Sequence, residues 1–295
     1  MHSYLRAIGY SGIKNRADEE NLIRDIVANA SGVQLSMAEE KAVYAENSKE
    51  CTEGIGVTVC GELVPAENAQ DEKFHAEYYF PYLRGNCISL QERIYVSKKV
   101  DTDAYHGMCE DARVGVSLIF YLQNAADYLK RNETAGTEKL TVSLSALSLG
   151  GHILLPVAEK KLDRELIQSY GVKRAQLVSE AKKGNQEAME SLTMEDFDLY
   201  TVIAERARKE DIYSIVDTTF IPYGTESDVY TVLARIEDYR YVTNRDTGEE
   251  LCLMQLCCNH LQFDLCINRK DLWGEPDVGR RFRGTIWLQG KVDFV

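Results

Sequence analysis

The chain has 295 residues, of which 44% are apolar and 27% are charged, so it can bury a core, and wholesale disorder is excluded. Its formal charge is −13, and acidic side chains occur in both halves, which argues against DNA, RNA or an anionic membrane as a general partner. Because no run of 18 apolar residues and no basic, apolar leader is found, we expect a cytoplasmic protein without a membrane segment.

The first element predicted along the chain is a helix. Asn15 and Asp18 form a capping pair, apolar residues such as Leu22 and Ile26 share one face, and Gly32 ends the helix. The pattern then changes to short β-prone runs separated by turn residues, which predicts an antiparallel meander with strands at 42–46, 55–63, 74–83 and 93–98.

The middle of the chain is ambiguous at one place. Residues 114–122 fit both a strand and a helix, and we choose a strand, followed by a short helix after Asn124. Residues 140–147 and 153–157 then predict a hairpin around Gly150 and Gly151.

The rest of the chain predicts helices between residues 163 and 209 and then five short strands, at 213–222, 228–242, 250–258, 261–267 and 281–290. Five strands suit a small barrel of the oligonucleotide- and oligosaccharide-binding type as much as an open antiparallel sheet. We therefore expect an α+β fold in two domains. Residues 1–160 would form an antiparallel sheet with a helix, and residues 161–295 a helical segment followed by the barrel-like domain.

Three stretches carry a resemblance to a known family: DIYSIVDTTFIPYG at 211–224, CNHLQFDLCIN at 258–268 and DLWGEPDVGRRFRGTIWLQG at 271–290. Together with residues 1–11, they resemble the uncharacterised clostridial family known as domain of unknown function 3881. The resemblance spans the whole chain and implies a bacterial cytoplasmic protein, but it brings no activity, cofactor or catalytic residue.

Eight cysteines could suggest disulfides or a metal site. Their spacing is irregular and contains no C-x-x-C, and the group formed by Cys252, Cys257, Cys258, His260 and Cys266 falls mostly in predicted strands. We therefore expect reduced thiols that pack as small apolar side chains, and no metal or cofactor.

The sequence has no G-x-S-x-G, P-loop, G-x-G-x-x-G or H-E-x-x-H motif. His152 follows two glycines and could be presented on a tight turn, although a polar residue opening a strand is the simpler interpretation. Near the C-terminus, Asp264 and Glu275, with His260 close in sequence, could supply acid and base groups if the fold held the carboxylates close together. The simpler interpretation is structural, since Asp271 before Leu272 and Glu275 before Pro276 are typical of turns and arginine pairing.

The last predicted strand suggests a binding face. Its apolar side holds Phe282 and Leu288, so the other side should present polar residues around an aromatic one, as in interface hot spots. The partner-binding candidates are Trp287, Arg283, Arg281, Gln289 and Trp273. The alternative is that Trp287 packs beneath the helices of residues 163–209.

These observations favour a non-catalytic binding or assembly module that acts on a protein or small-molecule partner through a C-terminal β face. One alternative is a hydrolase or transferase that uses the C-terminal carboxylates. Another is a nucleic-acid binder with an oligonucleotide-binding barrel, which the acidic charge opposes.

Overall fold

The computed structural model describes residues 2–37, 43–65, 72–99, 104–111, 113–114, 116–130, 139–156, 185–187, 191, 216–224 and 228–294. Strands make up 59% and helices 15% of the described residues, and most strands belong to one large mixed sheet. The predicted α+β class is therefore wrong, because the described part of the chain is mostly β. The helices predicted between residues 163 and 209 lie outside the described residues, apart from residues 185–187 and 191.

Two compact units divide the chain. One contains residues 1–154 together with 218–295, and the other contains residues 155–217. The expected boundary near residue 160 differs from this division, because strands from both sides of it pair in one sheet. None of the helices in the described part has the length and apolar character needed to cross a bilayer.

The chain begins with a 3₁₀ helix, Ser3–Ile8, and helix α1, Arg16–Ala28. The predicted cap of α1 is confirmed, since the side chain of Asn15 accepts a hydrogen bond of 2.9 Å from the backbone N–H of Asp18. The buried face of α1 includes Ile26. Helix α1 contacts the second and third strands of the sheet that follows.

A four-stranded antiparallel meander follows, with strands β1 Gly32–Met37, β2 Val43–Thr52, β3 Ile55–Pro65 and β4 Glu72–Leu83. This confirms the predicted meander up to β4. The predicted strand at 93–98 belongs to the larger sheet instead.

The larger sheet contains β5 Leu90–Glu92, β6 Tyr95–Lys98, β7 Tyr105–Asp111, β8 Val116–Leu122, β9 Leu140–Leu154, β10 Thr219–Pro222, β11 Val229–Thr243, β12 Glu250–Cys258, β13 Leu261–Asn268, β14 Leu272–Trp273 and β15 Arg281–Asp293. The choice of a strand for β8, followed by the short helix α2, Ala125–Lys130, is confirmed.

The predicted hairpin around Gly150 and Gly151 is wrong, because β9 runs through both glycines as one strand of 15 residues. Gly151 serves packing rather than a turn, whereas an added Cβ on Gly150 would meet no atom within 4 Å. A Cβ atom on Gly151 would lie 2.2 Å from the ring of Phe282, so the absence of a side chain lets the two strands pack closely.

Five strands of the larger sheet close into a ring in the order β11, β12, β13, β9, β15 and back to β11. Four of them come from the C-terminal region, as predicted, but the fifth is β9 from the N-terminal half. The described part of the strand predicted at 213–222 is β10, Thr219–Pro222, which pairs with β11 outside the ring. The expected self-contained C-terminal domain is thus replaced by a ring built from both ends of the chain.

Two apolar cores lie on the two sides of the ring strands. The first contains side chains such as Val232, Leu256 and Phe263. The second combines the 3₁₀ helix, α1 and the four-stranded sheet with the opposite face of the ring strands, including Cys266 and Trp287. Part of the outer face of the ring is therefore covered by the N-terminal elements.

Candidate functional site

Trp287, the main predicted binding residue, is buried, with 5% of its surface exposed. Its ring lies 5.2 Å from that of Tyr4 and 5.0 Å from that of Tyr121, measured between centroids. The expected exposure is wrong because β15 lies between other strands and the N-terminal residues cover this part of its outer face.

The Trp287 indole donates a hydrogen bond of 3.0 Å to Oδ2 of Asp228. The same oxygen lies 2.9 Å from Nε2 of His106 and 3.6 Å from Nζ of Lys99. Burial raises the pKa of Asp228, but the hydrogen bonds from His106 and Trp287 outweigh it, and the net shift is downward. Trp287 therefore donates one of the hydrogen bonds that stabilise the buried carboxylate of Asp228.

Arg281 and Gln289 are also buried, with exposures of 4% and 0%. Oε1 of Gln289 accepts a hydrogen bond of 2.9 Å from Gln123, and its Nε2 donates one of 2.8 Å to the carbonyl of Pro81. Gln289 thus joins β15 to the end of β4. Neither Arg281 nor Gln289 can contact a partner at the surface.

The remaining two binding candidates, Trp273 and Arg283, lie in one row with His152. Trp273 pairs with His152 across β14 and β9, and Arg283 pairs with the same His152 across β15 and β9. Directly paired residues on neighbouring strands project to the same side of a sheet. All three side chains are exposed, Trp273 to 70%. We call these three residues the tryptophan row.

The local sequence explains how Trp273 is held. The side chain of Asn268 accepts a hydrogen bond from Lys270 and caps the 3₁₀ turn Arg269–Asp271 that precedes β14. Leu272 is buried and anchors β14, so alternation directs Trp273 outward. Gly274 follows with φ +92°, a left-handed conformation that favours glycine.

The rings of Trp273 and His152 are stacked, with centroids 6.4 Å apart and planes inclined by 22°. Since each member of the row lies on a strand, their relative positions are set by strand pairing rather than by a loop. The arrangement combines a large aromatic surface, an imidazole and a guanidinium, which together can stack on a planar group and hold an anionic one.

The chain belongs to the family described as a domain of unknown function from E. rectale, DUF3881. The family model matches residues 5–290. No curated protein and no solved structure matched the chain in the same comparisons.

The two candidate catalytic carboxylates of this DUF3881 chain have different partners. Asp264 is 8% exposed and accepts a hydrogen bond of 2.6 Å from the backbone N–H of Asn86, and burial raises its pKa. Glu275 is exposed and forms an ion pair with Arg269, while Tyr241 donates to it over 3.4 Å. The contacts of Glu275 anchor the segment after Trp273 and match the simpler interpretation of this residue as an arginine partner, whereas Asp264 instead holds the backbone at Asn86.

His260 lies in the two-residue turn between β12 and β13, where Asn259 and His260 have φ values of 50° and 66°. Its backbone carbonyl accepts a hydrogen bond of 3.1 Å from Arg113. In the described structure, His260 therefore forms part of the hairpin turn that joins β12 to β13.

The cysteines are free thiols, and most are buried. Cys252 and Cys258 lie in the first core, whereas Cys266 lies in the second and donates a 3.4 Å hydrogen bond to the carbonyl of Ala7. The expectation that these three pack as small apolar residues is confirmed.

Sequence reasoning missed the buried polar groups beside the second core. Besides Asp228, they include Glu46, which accepts hydrogen bonds from the backbone of Ala126 and from Tyr44, and whose pKa burial raises to about 7. The only signal was a carboxylate within a β-prone run, as at Asp228 before Val229 and Tyr230. Its hydrogen-bond partners His106 and Trp287 are 122 and 59 positions away, so no local pattern reveals them.

Proposed function

We propose that this DUF3881 chain is a non-catalytic binding protein that engages a partner through its C-terminal β face, at the tryptophan row. The observation that carries the proposal is the alignment of Trp273, His152 and Arg283 on three neighbouring strands, all exposed. Because strands position the row, binding needs little further ordering of these side chains.

Tryptophan and arginine are enriched among the residues that dominate binding energy at protein interfaces. Trp273 offers a flat apolar surface at a fixed place, and the cost of leaving it in water is removed when a partner covers it. Arg283 adds a positive charge beside this surface, which attracts an acidic group. The row thus suits a protein partner that presents a planar side chain next to an acidic one.

We place this activity in the bacterial cytoplasm. Free thiols at all eight cysteines support a reducing compartment. The net charge of −13 supports a protein partner over a nucleic acid, because the phosphate backbone would be repelled by most of the surface.

The test compares capture of partners from the native cytoplasm by the wild-type chain and by Trp273→Ala, using quantitative mass spectrometry. Tyr95→Ala is the matched control, because Tyr95 is also an exposed aromatic, on β6 away from the row. We expect Trp273→Ala to weaken binding of the captured partner at least about tenfold in subsequent calorimetry, with unchanged thermal stability. Arg283→Glu should weaken binding as well.

Equal binding by wild type and Trp273→Ala would exclude the row as the interface. Loss of binding in Tyr95→Ala would place the interface elsewhere. Micromolar binding of single-stranded RNA or DNA with a steep salt dependence would show that the partner is a nucleic acid and not a protein.

A further inference from the structure

The carboxyl group of Glu46, on β2, lies between the four-stranded sheet and helix α2, and only 5% of the residue is exposed. Helix α2 contacts β1 and β2, and its residues Ala125 and Ala126 are buried. A helix of six residues is marginally stable by itself, so α2 depends on such contacts with the rest of the chain. The state of Glu46 therefore bears directly on how α2 is held.

Glu46 supplies a hydrogen-bond acceptor to the start of α2. Its Oε1 accepts a bond of 3.0 Å from the backbone N–H of Ala126, and the first N–H groups of a helix have no partner within the helix. The side-chain oxygen of Asn124, just before α2, is used elsewhere, because it accepts a bond of 3.1 Å from the backbone N–H of Val292 on β15. The bond from Ala126 to Glu46 thus links α2 to β2.

Both hydrogen bonds of Glu46 end on the same oxygen. Tyr44 also donates to Oε1, over 3.3 Å, so Oε1 has two donors and Oε2 has none in the described part of the chain. A proton on Oε2 would therefore leave both bonds intact. An ionised carboxylate in the same place would carry a buried negative charge with two neutral donors, which is unfavourable.

The charged residues that face Glu46 do not neutralise such a charge. They are Asp127 and Lys130 on α2, which pair with each other over 3.7 Å and act on the Glu46 carboxyl group in opposite directions. No lysine or arginine among the described residues forms an ion pair with Glu46. The carboxylate form thus lacks a cationic partner of its own.

The other titratable groups around Glu46 are neutral at pH 7. Burial raises the pKa of each of them: Tyr44 on β2, Cys60 on β3, Tyr78 on β4 and Tyr121 on β8. The hydroxyl groups of Tyr44 and Tyr78 lie 2.6 Å apart, and either can be the donor. Glu46 is therefore the group in this cluster whose charge can change near neutral pH.

Burial raises the pKa of Glu46 from 4.5 to about 7, although its hydrogen bonds from Ala126 and Tyr44 act in the opposite direction. The docked side chain thus keeps a proton that the same side chain in water would release. Raising the pH from 4.5 to about 7 should therefore weaken the docked state progressively, and the loss is complete above that range.

We propose that Glu46 makes the docking of α2 on the four-stranded sheet sensitive to pH near neutrality. The protonated side chain holds α2 against β2, and ionisation loosens it. The proposal stands on the geometry of a buried carboxyl group that is shared between two elements, has both donors on one oxygen and has no ion-pair partner among the described residues. It does not depend on the tryptophan row.

Amide hydrogen exchange of the full chain between pH 6 and pH 8 tests this proposal at Ala126 and its neighbours in α2. After correction for the intrinsic exchange rates, the opening equilibrium constant of α2 should rise about tenfold over this range in the wild type. In Glu46→Gln, the carbonyl oxygen keeps both bonds and the amide cannot ionise, so the opening constant should not change with pH.

Glu50→Gln is the matched control, since Glu50 lies on the same strand and pairs with the exposed Arg84 over 3.2 Å. It should keep the pH dependence of the wild type. A second measurement needs no variant to fold: the carbon-13 shift of the Glu46 carboxyl group in the wild-type chain should titrate with a midpoint at about pH 7.

A carbon-13 midpoint below about pH 5.5 would overturn the proposal, because Glu46 would then be ionised throughout the tested range. Exchange at α2 that does not change with pH in the wild type would also overturn it. A pH dependence that persists in Glu46→Gln, or that disappears in Glu50→Gln, would assign the effect to another group and exclude Glu46.

Discussion

At the scale of single residues, the two tryptophans have opposite surroundings, and substitution should separate them. Trp287→Ala removes a buried indole from the second core and should lower the free energy of unfolding by about 3–5 kcal/mol. Trp287→Phe keeps most of the ring but removes the donor to Asp228, for an expected loss of about 1–3 kcal/mol. Denaturant unfolding measures both.

Trp273→Ala is the control for this series, because Trp273 is 70% exposed and its removal should change the free energy of unfolding by less than about 0.5 kcal/mol. A loss below about 1 kcal/mol for Trp287→Ala would show that Trp287 is not part of a packed core.

Arg283 and Trp287 show what the alternation of side chains along a strand can predict and what it cannot. Alternation along β15 predicted that Trp287 lies on the side opposite Leu288, and the structure confirms it, since the two residues belong to different cores. Alternation could not predict that this side is covered at Trp287 and open at Arg283. The cover at Trp287 comes from His2 and Tyr4, which lie 285 and 283 positions earlier in the chain.

At the scale of elements, local signals predicted most strand positions and the cap of α1, but they did not predict the role of glycine in β9. Gly150 and Gly151 are typical of a turn, and the hairpin prediction followed from that. The ring of Phe282, 131 positions later in the chain, packs against Gly151. Glycine required for close approach and glycine required for a turn look the same in a single sequence.

A β-bulge in β4 gives a prediction at the same scale: Cys60 pairs with Tyr78 and Gly61 with Ala76, so Glu77 is an extra residue between them. A Cβ atom on Gly61 would lie 2.0 Å from the backbone carbonyl oxygen of His75. Gly61→Ala should therefore displace the bulge and lower the free energy of unfolding by about 1–3 kcal/mol.

Gly32→Ala is the matched control, since Gly32 begins β1 in the same sheet and an added Cβ meets no atom within 4 Å. Its free energy of unfolding should change by less than about 0.5 kcal/mol. Equal stability of Gly61→Ala and Gly32→Ala would show that β4 does not need its bulge at this position.

At the scale of the whole molecule, the sequence suggested two consecutive domains because the β-rich ends are separated by a helical pattern. The ring of β11, β12, β13, β9 and β15 contradicts two independently folded halves, because it contains strands from both. Strand β9 pairs in parallel with β13 at residues 145–148 and antiparallel with β15 at residues 141–154. Pairing between distant strands of this kind leaves no mark in composition or periodicity, so it could not be predicted from one sequence.

This closure predicts how the chain behaves when it is divided at residue 160. A fragment of residues 161–295 lacks β9, which leaves β13 and β15 with unpaired edges and exposes the first core, so it should aggregate or remain unfolded. A fragment of residues 1–160 lacks the other four ring strands and should fail as well. The intact chain cleaved at an engineered protease site at residue 160 after folding should remain a one-to-one complex in gel filtration and unfold in one cooperative transition. If the isolated 161–295 fragment instead unfolds cooperatively with the midpoint of the intact chain, β9 is dispensable and the ring is not the unit that stabilises the protein.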